Sequence, residues 1–276
     1  MTYFDLIAPE HGAIPVLVEV PHAGLEIPKA VLETVTVSKE SVMRDADIFV
    51  DRLYDFAPTV GAHFLAAKLS RYVVDLNRAA NDVDEGAVAG RTSPIVHQPR
   101  GVVWRMTTDG QRCLHRPLSA AEFQARIDLY YAPYHAALEA TLRAIRERFG
   151  WAILLAAHSM PSVGRTQHSD RGIRRADIVP GTRGRTTAAA EIIDVVDGHF
   201  RAAGLSVRHD EPYRGGFSTT HYGRPSEGWH AVQIELNRAL YVDEATYTYR
   251  TEDAARLSGL LRGLVEKLGA VRPPSG

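Results

Sequence analysis

The sequence predicts an α/β protein, a sheet flanked by helices on both faces, and three observations predict it. Short β-branched runs recur at 14–20, 63–69, 71–76, 151–157, 205–210 and 230–236; helical patterns alternate with them; and no Ser-, Gly- or Pro-rich linker divides the 276 residues. Residues 14–20, "IPVLVEV", are apolar and β-branched and break off at Pro21-His22-Ala23-Gly24. A helical pattern follows over about 38–57, then strand candidates "HFLAAKL" and "RYVVDL", then a second helical pattern over 119–149. "WAILLAA" (151–157) has no polar face and reads as a central strand buried on both sides. A third helical pattern covers 185–204, and "LSVRHD" (205–210) is the next strand candidate. "HAVQIEL" (230–236) alternates, with Gln233 and Glu235 on the parity opposite Val232 and Ile234. The last helical pattern, 251–268, stripes Ala254, Leu257, Leu261, Leu264 and Leu268 along one face and ends at Gly269. The expectation is one domain over residues 1–276.

Composition excludes several classes. With 45% hydrophobic and 24% charged residues, the chain can bury a substantial core, so disorder is not its main state. A net charge of −1 lacks the positive excess that nucleic acid or an anionic membrane surface calls for. No stretch approaches the ~20 apolar residues that span a bilayer. Cys113 is the only cysteine, which excludes an intramolecular disulfide and a Cys-based zinc knuckle. The first residues lack a basic start followed by a long apolar run. A cytoplasmic protein with a small-molecule partner is expected.

Three connections are too long for plain turns: 79–118, mostly patternless; 159–183, rich in Arg and Gly; and 211–229, rich in Gly and aromatics. Each follows a strand candidate, where binding loops gather in α/β sheets.

Two histidines share a placement. His22 stands two positions beyond the first strand candidate and His158 just beyond "WAILLAA". Either alone reads as a hydrogen-bonded, half-buried histidine; together they suggest two metal ligands. A catalytic zinc commonly adds a carboxylate, and "RDADIFVDRLYD" (44–55) offers Asp45, Asp47, Asp51 and Asp55. At helical spacing Asp47, Asp51 and Asp55 share a face, yet the helix dipole accounts for any one of them equally well, and periodicity does not choose among them. Glu235 lies in a strand between apolar neighbours. It is either half of an ion pair with Arg238 or a general base poised by burial and a nearby metal. Arg78 ends "SRYVVDLNR"; an arginine at the sheet edge is a surface residue by default, and beside a metal it suggests an acidic substrate, whose carboxylate its fork binds bidentately.

Taken together, "VEVPHAG", "RDADIFVDRLYD", "SRYVVDLNRAAND", "AAHSMPS", "DIVPGTRG" and "GGFSTTHYGRPSEGWHAVQIELNR" resemble the N-formylglutamate amidohydrolase family, in matching order over nearly the whole chain. The resemblance implies a three-layer α/β/α sandwich around a mixed central sheet, similar to the zinc carboxypeptidases. It also implies a zinc-dependent amidohydrolase that releases formate and L-glutamate from N-formyl-L-glutamate in bacterial histidine breakdown. On that resemblance His22, Asp47 and His158 are expected to hold one Zn2+ per chain, or another divalent transition metal, with Asp45 in reserve. Glu235 is expected to be the base-acid glutamate, with Arg214 and His221 polarising the acyl group. Arg71, Asn77, Arg78 and Tyr222 are expected to bind the small acidic N-acyl amino acid. Competing expectations are a related N-acyl amino acid hydrolase (N-formylaspartate, aminoacylase or small carboxypeptidase activity) and a non-catalytic metal-binding module. Val102, Val103 and Trp104 of the long segment are expected to cap the substrate or to pack on a partner.

Overall fold

A computed structural model describes residues 2–91 and 99–273. Its strands are β1 (Phe4–Ile7), β2 (Val16–Val20), β3 (His63–Ala67), β4 (Ala152–Met160), β5 (Ile178–Gly181), β6 (Trp229–Asn237) and the short pair β7 (Val242–Asp243) and β8 (Thr248–Tyr249). Its α-helices are α1 (Lys29–Leu32), α2 (Lys39–Asp45), α3 (Val50–Leu53), α4 (Ala120–Arg126), α5 (Ala132–Phe149), α6 (Ala190–Ala202), α7 (Phe217–Tyr222) and α8 (Thr251–Ala270). Six strands form one mixed sheet in the order β1-β3-β2-β4-β6-β5. The four central strands run parallel, and β1 and β5 add antiparallel edges.

Alternation divides the core between the two faces of the sheet. Val16, Val18 and Val20 of β2, Ile153 and Leu155 of β4 and Val232 and Ile234 of β6 pack with buried residues of α3, α6 and α8. Leu17, Leu154 and Ala231 on the other face pack with α4 and α5. The expected three-layer sandwich with a mixed sheet is present, and the expected stripe of α8 is its buried side. That helix runs through Gly269 to Ala270 rather than stopping there; a Cβ on Gly269 would lie 2.7 Å from Cδ1 of Ile14, so the glycine serves packing, not the helix end.

Local structure departs from the sequence expectation at several points. Residues 71–76 are not a strand. Val73, Val74 and Leu76 are apolar because they are buried beneath α4 and α5, and backbone bonds Val73 N to Ser70 O and Asp75 N to Val102 O make the segment a turn. Residues 205–210 contribute only a single bridge, Val207 to Ile178. The long helix expected at 38–57 breaks after Asp45, where Ala46 turns extended and Phe49 takes φ 65°, leaving Asp47 in a connection. The pattern at 119–149 holds α4, started by a Ser119–Glu122 capping box, one π turn and α5. The strands β1 and β5 and the helix α7 had no sequence expectation; β5, "IVPG", is an edge strand that tolerates Pro180. No described helix is long and apolar enough to cross a membrane.

Candidate active site

On the α5 face of the sheet, side chains change character along the strands. Leu17, Leu154 and Ala231 fill its lower part, while toward the carboxyl ends the same parity presents Glu19, His158, Gln233 and Glu235. His158 thus lies within β4 rather than beyond it, directly opposite Glu235 of β6 in the ladder. His22 follows β2 in the turn the sequence kinks. Gly24 is required there, because a Cβ on it would fall 2.3 Å from the Lys68 carbonyl carbon.

His22, His158, Gln233 and Glu235 line a cavity of about 320 Å³ together with Asp47, Arg71, Asn77, Arg78, Tyr213 and Arg214. His22 Nδ1 and His158 Nδ1 lie 3.6 and 2.9 Å from Asp47 Oδ2, and the three side chains could hold a metal ion. His22 Nδ1 is buried without a hydrogen-bond partner, as a nitrogen awaiting a ligand would be, and two imidazoles with a carboxylate are a donor set suited to catalytic zinc. The far nitrogen of His22, Nε2, is 2.8 Å from Asp75 Oδ1. Such a carboxylate fixes ring orientation and tautomer in metal-binding histidines. Asp75 also accepts from Trp104 Nε1 and Arg71 Nη2, each at 2.8 Å. Burial by itself would raise its pKa, but Arg71 and then His22 hold it well below the carboxylate range.

Asp47 reaches this point because the end of α2 is held by guanidinium groups from distant segments. Arg238 donates to the carbonyls of Arg44 (2.6 Å) and Ala46 (2.5 Å), Arg165 to that of Arg44 and Arg71 to that of Asp45. Asp47 N then bonds His22 O at 2.9 Å. Asp45, the reserve ligand, is committed elsewhere: its carboxylate accepts from Tyr72 Oη, Thr108 N and Arg165. Arg238 pairs with Asp47 at 3.4 Å, not with Glu235.

Glu235 is buried, and burial pushes its pKa upward against the opposing pull of His158. Gln233 Nε2 donates to its Oε1 at 2.9 Å, while Gln233 Oε1 accepts from Gly216 N and Asn77 Nδ2. Asn77 Oδ1 accepts from Ser218 N at 3.0 Å, so both ends of the Asn77 amide bond within the protein. Glu19, missed in the sequence reading, lies under this network, accepting from Tyr134 Oη and Ser218 Oγ; burial pushes its pKa up to about 7.

Two expected substrate contacts are not brought to the cavity. Exposed His221 stacks on Phe217 at 4.8 Å in a separate surface groove, and Tyr222 is buried with its hydroxyl on His135 Nδ1. Val102 and Val103 neither cap the cavity nor face outward; they are buried against the sheet, and Trp104 packs edge-on to Tyr72 while bonding Asp75.

With this geometry in view, the model of the N-formylglutamate amidohydrolase family matches residues 14–242. The chain belongs to this family. Within the N-formylglutamate amidohydrolases, it is 32% identical over 269 residues to the N-formylglutamate deformylase of Pseudomonas aeruginosa, covering 96% of each chain. It is 33% identical to the N-formylglutamate deformylase of Pseudomonas putida, covering 93% of each. A crystal structure of N-formylglutamate amidohydrolase from Ralstonia eutropha JMP134 superposes with a TM-score of 0.88 at 32% identity, covering 98% of both chains. A gene product of Agrobacterium tumefaciens shares the fold at 20% identity, with a TM-score of 0.70 over 97% of this chain and 95% of that one.

Proposed function

We propose that this chain is a cytoplasmic, zinc-dependent deformylase, acting as one unit over its whole length, that hydrolyses N-formyl-L-glutamate to formate and L-glutamate in histidine breakdown. One observation carries the reading: a two-histidine, one-aspartate donor set, a buried carboxylate opposite it and several arginines share one cavity, in a chain whose relatives bear the deformylase name. That a single sheet draws strands from Phe4–Ile7 through Trp229–Asn237 supports the single unit.

His22, Asp47 and His158 hold the zinc, whose chemistry when bound is to lower the pKa of a coordinated water toward ~7 and to polarise the amide carbonyl. Glu235 accepts a proton from the attacking water and returns it to the departing nitrogen, a role suited to a buried carboxylate with a raised pKa. Gln233 holds that carboxylate in one orientation, Asn77 and Gly216 hold Gln233, and Asn77 also holds the first turn of α7 through Ser218 N. Anchoring the α-carboxylate therefore falls to Arg78, with Asn77 as its support. Arg214, on the cavity wall, is the donor to the formyl oxygen as charge develops there.

The test is formate release by protein of known zinc content, before and after chelation, from N-formyl-L-glutamate, N-formyl-L-aspartate and N-acetyl-L-glutamate. Zinc-dependent release selective for the first is expected. Preference for either of the other two reassigns the substrate, and zinc binding without turnover of any of them overturns the reading.

A further inference from the structure

The main cavity opens into a second one of about 160 Å³, with which it shares Asp47, Arg71, Arg78, Ser159 and Tyr213. This compartment is lined by far more positive than negative charge: Arg44, Arg71, Arg78, Arg100, Arg165 and Arg238 against Asp45 and Asp47. Four of these arginines have carboxylates of their own. Arg44 meets Asp109 at 2.7 Å, Arg71 meets Asp75 at 2.8 Å, Arg165 meets Asp45 at 3.2 Å and Arg238 meets Asp47 at 3.4 Å.

Arg78 and Arg100 have no carboxylate within 4 Å among the described residues. Among the described residues Arg78 donates only to the carbonyls of Arg100 and Asn77, at 3.1 and 3.0 Å. Arg100 donates through Nη2 to the Gln167 carbonyl at 3.3 Å, and its buried Nη1 has no hydrogen-bond partner among the described residues. A buried guanidinium N–H left unpaired is costly, and more so among like charges. Burial, with repulsion from Arg71 and Arg78, lowers the pKa of Arg100. His168 adds a neutral donor. Its Nδ1 accepts from Arg165 N and Arg175 Nη2, which leaves the proton on Nε2. Trp104 flanks both Arg71 and Arg100, its ring 4.3 and 5.7 Å from their guanidinium carbons, and so limits how the forks can turn.

With Arg214 of the main cavity given to the formyl oxygen, the two remaining guanidinium groups without carboxylates match a substrate with two carboxylates. Arg78 lines both cavities, sharing the first with Glu235 and His158, whereas Arg100 lines only the second. In an N-formyl amino acid the α-carboxylate is attached one carbon from the scissile nitrogen, and the side-chain carboxylate lies farther away. We propose that Arg100 receives the side-chain carboxylate of the substrate and makes the enzyme select N-formyl amino acids with acidic side chains. This rests on the deformylase reading above.

The test compares zinc-loaded wild type, Arg100→Met and Arg100→Lys on N-formyl-L-glutamate and on its uncharged near-isostere N-formyl-L-glutamine. Arg100→Met is expected to lower kcat/KM for the glutamate substrate about 10–100-fold, chiefly through KM, and to change the glutamine substrate less than about 3-fold. Arg100→Lys should fall between, keeping the charge and losing the fork. Equal losses on both substrates, or none on either, overturn the proposal. Calorimetric titration with glutarate and with butyrate separates this proposal from the deformylase reading. If wild type hydrolyses neither formyl substrate, that reading fails. The Arg100 site still stands if Arg100→Met weakens glutarate and spares butyrate, and it falls if glutarate binds both proteins equally or binds neither.

Discussion

His22 Nε2 and Asp75 Oδ1 are 2.8 Å apart although 53 residues separate them, and the contact leaves His22 Nδ1 facing Asp47. A carboxylate in this position strengthens a histidine as a ligand and fixes its tautomer. Asp75→Asn keeps the shape and removes the charge. We expect it to weaken zinc binding about 10–100-fold, measured by competition with a chromogenic chelator. An unchanged affinity would mean that Asp75 serves to hold Arg71 and Trp104 and not to tune the ligand.

Glu235 is the proton carrier in the proposed reaction. Glu235→Gln should reduce kcat for formate release by about 10²–10⁴-fold while zinc content stays at one per chain. Substantial residual turnover would transfer the role to another group.

Asn77 and Arg78 are neighbours with opposite duties. Asn77→Ala removes an acceptor for Ser218 N and a donor to Gln233 Oε1 in a buried network, so a loss of about 2–3 kcal/mol in urea unfolding is expected. Arg78→Ala strips a part-buried side chain whose bonds are to carbonyls. It should leave stability within about 1 kcal/mol and raise KM for an acidic substrate about 10–100-fold. If the two variants behave alike, the division of roles is wrong.

His135 gives a pH dependence of known sign. Burial pushes its pKa from 6.5 down to about 4, against the bond it makes to the Leu76 carbonyl. The unfolded chain therefore takes up a proton near pH 6.5 that the folded chain refuses until about pH 4. Its contribution is complete above the unfolded pKa and is lost as pH falls through this window, by about 3 kcal/mol in all. Glu19, with its pKa raised to about 7, works in the opposite direction over part of the range, so total stability is not the readout. The difference between wild type and His135→Gln in urea unfolding, compared at pH 7 and pH 4, isolates the histidine. Parallel pH slopes for the two proteins would refute it.

Much of the fold was legible because its signals are local. "WAILLAA" has no polar face, and β4 is the central strand buried on both sides. The leucine stripe of 251–268 lies buried in α8, and the parity of Gln233 and Glu235 puts both on the face away from Val232 and Ile234. What misled was apolar sequence in irregular backbone. Val73, Val74 and Leu76 are buried without being a strand, since burial and strand geometry leave the same mark over six residues.

By itself the sequence determined which side chains stand at the carboxyl ends of the strands, His22, His158 and Glu235, because strand alternation and a kinked turn are encoded by neighbours in the chain. Only the tertiary structure decided which aspartate joins them. Asp45 and Asp47 are two residues apart, and what separates them is the set of arginines, Arg71, Arg165 and Arg238, that ends α2 between them and turns Asp47 toward the histidines. Those contacts span 26 to 194 residues of sequence, beyond the reach of any periodicity. The same distance hid Asp75 behind His22 and left Arg100 unnoticed in a long segment without pattern.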